Sequence, residues 1–314
     1  MQGQRQSIES PFDIAATDII SLKAHLTTAQ MRAGGKVASL TIEPLRNSLT
    51  LVSGSGGNVL VLPGDDGKVI VDSGLATSKM QMSEAFRSIS SDPLRSLINT
   101  HWHFDHTDGN EWIHAEGATI FAHEKTLTRM QHQQSITEFE GIYPPSPSGA
   151  LPTVTFERTK TFKANGHEIV LTRYTPAHTE TDISVFFADA DVLHAGDSFF
   201  SQFYPFIDYN SGGSIDGMIA ACRETLGLIG LSTMVVGGHG RVGTYSDLVS
   251  FLRMLVELRA KLLRSNILER PLRRSSPNDR RPPLIRCGVM GSSHLIYLHG
   301  WFTGDSSLSL KKAH

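Results

Sequence analysis

The stretch Asn99-Thr100-His101-Trp102-His103-Phe104-Asp105-His106-Thr107-Asp108-Gly109-Asn110 decides the reading of this 314-residue chain. The run Arg95–Asn99 at its start has the length and apolar content of a buried strand, so the chain enters the motif from a sheet. If strand geometry continues, His101 and His103 point to one side, because strand side chains alternate with a period of two. Asp105 and His106 then fall on the turn leaving the strand, where they can face a second ion. Imidazole and carboxylate donors suit zinc, and they also suit iron, manganese or nickel. A lone histidine is more often structural, but a His-x-His-x-Asp-His cluster at a strand end reads as metal binding. Trp102 and Phe104 alternate with the polar groups and are expected to pack on the opposite face.

Working outward, strands are expected at Leu49–Val52, Asn58–Leu62 and Lys68–Val71, with Gly54-Ser55-Gly56-Gly57 and the hairpin turn Asp65-Asp66-Gly67 between them. Ser78 to Ile89 reads as an amphipathic helix with Met80, Ala85 and Phe86 among its apolar positions. After the motif come a strand at Thr119–Ala122, a helix near Glu124–Gln133 and a proline-rich loop at Tyr143–Gly149. Two to four strands follow, over Thr153–Phe156, Glu168–Tyr174, Ile183–Ala188 and Val192–Ala195, then a helix from Ile215 to about Ile229 and a strand at Thr233–Val236. Two rounds of strands, helix and strand predict an α/β sandwich of two similar halves rather than a simple parallel sheet.

Further candidate donors occupy strand-to-loop junctions: His178 in Pro176-Ala177-His178-Thr179, Asp197 in Gly196-Asp197-Ser198, and His239 in Gly237-Gly238-His239-Gly240. Asp72 ends the strand before the first helix. His123 and His194 also end strands, and both are expected to be non-ligands. In this order the residues resemble the five motifs of the metallo-β-lactamase superfamily over about residues 45 to 255. That resemblance implies an αββα sandwich with metals at the edge between two sheets. It also implies a first zinc on His101, His103 and His178, a second on Asp105, His106 and His239, and Asp197 bridging them. Asp72 matches a position that supports the metal loop by hydrogen bonds.

The resemblance implies a hydrolase with two Zn2+, in which a bridging hydroxide attacks a β-lactam, lactone, ester or thioester carbonyl and Asp105 orients it. Fe or Mn could fill the same donors. Asp197 leans away from typical β-lactamases, which generally lack the bridging carboxylate. The glutathione contact of glyoxalase II is missing after Asp197, and Phe200 stands where lactonases usually place a tyrosine. Phe200, Tyr204 and Tyr209 are candidate substrate contacts in an aromatic loop that could equally be buried structure. The alternatives are a single-iron or di-iron redox member of the same fold, or a phosphodiesterase or nuclease. The extra domains or His-containing insert of nucleic-acid processing members are not evident, so the expected partner is a small molecule.

Charge is uneven: from Arg259 to His314 there are 11 basic and 3 acidic residues, against 18 and 28 before them. The expected organisation is an N-terminal extension (1–40), a catalytic domain (41–260) and a basic tail (261–314). With only Cys222 and Cys287 there is no disulfide framework. No run reaches the ~20 apolar residues of a membrane span. A cytoplasmic location is expected, and a periplasmic or secreted one if a signal segment is missing from this sequence. No feature of the sequence sets an oligomeric state.

Overall fold

The computed structural model describes residues 28–136 and 141–268. The expectations for 1–27, for Cys287 and for the basic segment beyond 268 lie outside the described residues. The chain divides into two units, 1–261 and 262–314. The first unit holds both sheets and the donor residues; of the second, the described residues are the end of one helix.

Seven strands pair in the order β1 (Thr41–Pro44), β2 (Thr50–Ser53), β3 (Val59–Leu62), β4 (Lys68–Val71), β5 (Leu94–Ile98), β6 (Thr119–His123) and β9 (Val154–Phe156). Five more form a second sheet in the order β10 (Thr159–Ala164), β11 (His167–Arg173), β12 (Ile183–Phe187), β13 (Val192–His194) and β14 (Met234–Val236). β7 (Gln134–Ile136) and β8 (Gly141–Tyr143) pair separately.

Alternation along β3 shows how the layers stack. Leu60 and Leu62 enter a cluster with Ile98, Ile169, Leu171, Val185 and Phe187, which joins the two sheets. Val59 and Val61 turn the other way, onto Met82 and Phe86 of α2 (Lys79–Ile89) and Trp112 and Ile113 of α4 (Asn110–Ala115). On the far side, Leu193 and Val235 pack against Met218 and Cys222 of α6 (Ile215–Leu228) and Leu248, Phe251 and Leu255 of α7 (Tyr245–Leu268). Helix, sheet, sheet and helix follow one another, as an αββα sandwich requires. Residues 28–35 are helical (α1), α3 (Phe104–Thr107) lies in the motif, and α5 (Glu124–Gln131) follows β6.

The structure departs from the sequence reading at several places. Strand β5 stops at Ile98, so His101 and His103 are not on a strand. Their shared direction comes from the bends after β5, and Asp105 and His106 ride the short helix α3. In α2 the buried methionine is Met82, whereas Met80 is 82% exposed. α1, β1, α4, the β7–β8 hairpin, β10 and α7 are additional to the elements read from the sequence. Trp102 packs against Met130, Ile136 and Tyr143 as expected, but its ring also lies edge-on to His103 at 4.6 Å.

At one end of the sandwich the two halves are clasped by their turns. Asp66 N donates to Asn165 Oδ1 at 2.9 Å, and Asn165 N donates to Asp66 Oδ2 at 2.8 Å. Asn165 Nδ2 adds a 2.8 Å bond to the Gly67 carbonyl.

Candidate metal centre

β4 pairs with β5, and β13 with β14, in parallel, so the C-terminal ends within each pair open at the same edge. Asp72 follows β4, the His101–His106 motif follows β5, Asp197 follows β13 and His239 follows β14. His178 sits in the turn after β11. Backbone bonds draw these loops together: Gly57 N donates to Asp105 O at 2.9 Å, and Gly238 N to Gly196 O at 2.7 Å. A Cβ at Gly57 would collide with the His106 ring, and one at Gly238 with Asp197 Oδ1, so both positions need glycine for space.

The donor atoms converge in three overlapping sets: His101/His103/His178, His101/His106/Asp197 and Asp105/His106/His239. Within each set they lie within 4.8 Å of one another, and every residue is buried. Asp197 spans the arrangement, with Oδ1 3.2 Å from His106 Nε2 and Oδ2 3.5 and 3.6 Å from His239 Nε2 and His178 Nε2. Asp105 Oδ2 lies 3.2 Å from His239 Nε2 and 3.5 Å from His106 Nε2.

Behind four of the rings, the nitrogen facing away from the centre has a partner. His178 Nδ1 donates to the Phe206 carbonyl at 2.8 Å, and His103 Nε2 lies 2.9 Å from Asp208 Oδ2. His106 Nδ1 is 2.8 Å from Asp72 Oδ2, and His101 Nδ1 is 3.1 Å from Thr100 Oγ1, itself a donor to Asp72. These bonds assign the outward protons, and on His101, His103 and His178 they leave a lone pair pointing inward, while His106 Nε2 faces the Asp197 carboxylate. Two consequences fit a cation. His101 Nε2 is buried with no hydrogen-bond partner, and His103 Nδ1 faces His178 Nε2 at 2.9 Å, acceptor to acceptor. Groups this short of donors could be satisfied by a metal ion, and imidazole with carboxylate suits several transition metals.

Electrostatics divide the centre in two. Burial, reinforced by His106, His103 and His178, holds His101 well below the usual histidine range, and burial likewise brings His178 down to about 4. Both are neutral donors. Burial would depress His106 and His239 as well, but Asp197 and Asp105 outweigh it. His106 is held well above its ordinary value and His239 is raised to about 9. Against burial, these two rings bring Asp105 to about 2 and, with His178, hold Asp197 well below the carboxylate range.

Asp72 takes the left-handed conformation (φ 62°), rare outside glycine. It accepts from Thr100 N and Thr100 Oγ1, both at 2.8 Å, besides meeting His106. His123 and His194 have both ring nitrogens engaged with backbone groups. The aromatic loop divides. Phe200 is buried and stacks on the His239 ring at 5.5 Å, whereas Tyr204 and Tyr209 are exposed. Asn58 belongs to the site although no motif announces it. Its Nδ2 donates to the carbonyls of Gly237 and Gly240, both at 2.9 Å, and its N to that of Gly238, fixing the His239 loop.

Residues 52–262 match the metallo-beta-lactamase superfamily model. No curated protein sequence matches the chain. Among solved structures, a metallo-beta-lactamase from Pontibacter korlensis is similar with a TM-score of 0.58 at 18% identity, over 69% of this chain and 99% of that one. A metallo-beta-lactamase of Cronobacter sakazakii is similar with a TM-score of 0.59 at 14% identity, over 76% and 99%. A B3 metallo-beta-lactamase with an active-site glutamic acid has a TM-score of 0.59 at 19% identity, over 76% and 96%. At these identities the likeness shows the fold. The family match carries the rest: the chain belongs to the metallo-beta-lactamase superfamily, and with it among the hydrolases.

Proposed function

We propose that the chain is a two-zinc hydrolase of small carbonyl compounds, namely β-lactams, lactones, esters or thioesters. The observation that carries this reading is the convergence of seven donor residues in overlapping sets, with His101 Nε2 buried and unpartnered at their centre. His101, His103 and His178 would hold one ion and Asp105, His106 and His239 the other, with Asp197 shared. Bound zinc supplies Lewis acidity, lowering the pKa of a water toward about 7 and polarising the carbonyl under attack.

The chain's own residues provide position and charge. Asp105, brought to about 2, remains a carboxylate at neutral pH. At 8% exposure it is, with His239 at 9%, among the donors most open to solvent, so its carboxylate can accept a hydrogen bond from the attacking water and orient it. His101, His106 and His178 are fully buried and give the centre a dry floor that strengthens every charge interaction above it. Asp197 keeps negative charge between the two histidine sets. The zinc-loaded protein should cleave at least one of a β-lactam, a lactone, an ester and a thioester, and leave a phosphodiester intact. Cleavage of the phosphodiester alone would overturn the carbonyl assignment.

A further inference from the structure

Asp208 lies in the aromatic run Phe203-Tyr204-Pro205-Phe206-Ile207-Asp208-Tyr209 and is completely buried. A carboxylate is seldom buried unless paired. Oδ1 accepts from Ser211 N at 3.0 Å, capping the short turn Tyr209–Ser211. Its N donates to the His178 carbonyl at 2.9 Å, and its own carbonyl accepts from Gly213 N at 2.9 Å. A loop-building role accounts for all of these bonds. It does not account for Oδ2, which is spent on His103 Nε2 at 2.9 Å across 105 residues of chain.

We propose that Asp208 is a positioning residue for the metal centre, holding His103 so that Nδ1, and not Nε2, faces the ion. This rests on the two-metal reading above. A carboxylate accepts only, so the proton stays on His103 Nε2 and the Nδ1 lone pair is aimed at the position it shares with His178 Nε2. The negative charge also makes the imidazole a stronger donor, as carboxylates behind metal-bound histidines do. Without that carboxylate the ring is free to turn, and the ion on His101, His103 and His178 loses a donor. The Asp105/His106/His239 set lies apart from this contact and keeps its affinity.

The test is a cobalt(II) titration of the metal-free full-length chain against a chromophoric chelator, for wild type, Asp208→Asn and Ser211→Ala. Asn keeps the cap on Ser211 N but removes the charge. Ser211→Ala removes another tie to this loop, Trp102 Nε1 to Ser211 Oγ at 3.1 Å, and leaves in place the carboxylate, its bond from Ser211 N and the indole that packs on His103. Two binding steps are expected in wild type, with one weakened about 10–100-fold by Asp208→Asn and neither changed by Ser211→Ala. Unchanged affinities in Asp208→Asn, or equal losses in both variants, would overturn the proposal. If wild type binds no cobalt, the two-metal reading falls, and nitrogen-15 shifts of the metal-free rings decide the positioning role. His103 should then be the Nε2–H form in wild type and a mixture in Asp208→Asn; the same form in both would overturn it.

Discussion

His106 Nδ1 meets Asp72 Oδ2 at 2.8 Å, and both side chains are completely buried. The bond joins the end of β4 to the loop after β5. The same carboxylate binds Thr100 N and Thr100 Oγ1, so one residue shapes the whole turn carrying the donors.

Replacing Asp72 therefore acts on metal affinity and on folding, and two variants separate the effects. Asp72→Ala strands His106 in the interior and should cost about 3–5 kcal/mol of stability, the scale of breaking a buried pair. Asp72→Asn tolerates the left-handed backbone and can still accept from Thr100. It should fold and bind zinc about 10–100-fold more weakly. Thermal melts and zinc titration of the two variants check this, and wild-type affinity in Asp72→Asn would count against it.

Gly57 gives a sharper steric test. Its missing Cβ leaves the space that the His106 ring fills. Gly57→Ala should displace that ring and lower the zinc content from two ions toward one, since His106 is a donor to the second ion in the proposed centre. Metal analysis of the purified variant reads the outcome directly.

The site is more legible in the sequence than the fold around it. The donors sit where apolar runs end, and both their types and the ends of those runs are local facts. What they bond to on their outward side is not local: His103 reaches Asp208, and Asn58 reaches Gly237, 179 residues away. No spacing rule announces such pairs. Strand periodicity puts His101 and His103 correctly on one side for the wrong reason, because Asp72 takes the Thr100 amide and β5 ends before the motif. Met80 and Met82 differ by two positions, and only tertiary packing selects Met82. Leu248, Phe251 and Leu255 recur at helical spacing and form the buried face of α7, a helix additional to those read from the sequence.

The clasp between Asp66 and Asn165 lies in the turns joining β3 to β4 and β10 to β11. Asn165 has φ 53° and precedes Gly166 at φ 80°, the turn geometry that Asn-Gly favours. Asn165→Ala loses the side-chain bonds and strains the turn, so it should lower stability by about 2 kcal/mol. Denaturant unfolding measures this, and zinc content should stay at the wild-type level.

Cys222 supplies a pH dependence away from the site. Burial pushes its thiol up to about 12, from an ordinary value of 9.0. Above pH 9 the unfolded chain releases this proton and the folded chain keeps it, so the contribution of Cys222 lowers stability as pH rises. The slope approaches about 1.4 kcal/mol per pH unit until pH nears 12. Cys222→Ala should flatten that slope in unfolding experiments between about pH 9 and 11. At about pH 8 an alkylating reagent should modify Cys222 in the unfolded chain and spare it in the folded one, as peptide mapping would show.

The most direct measurement is the zinc content of the purified full-length chain by plasma mass spectrometry, followed through chelation and reloading alongside carbonyl-substrate hydrolysis. The proposed centre requires two zinc ions per chain, hydrolysis that disappears as they are removed, and its return when zinc is restored. One redox-active iron per chain, or hydrolysis that persists in the metal-free protein, would contradict it.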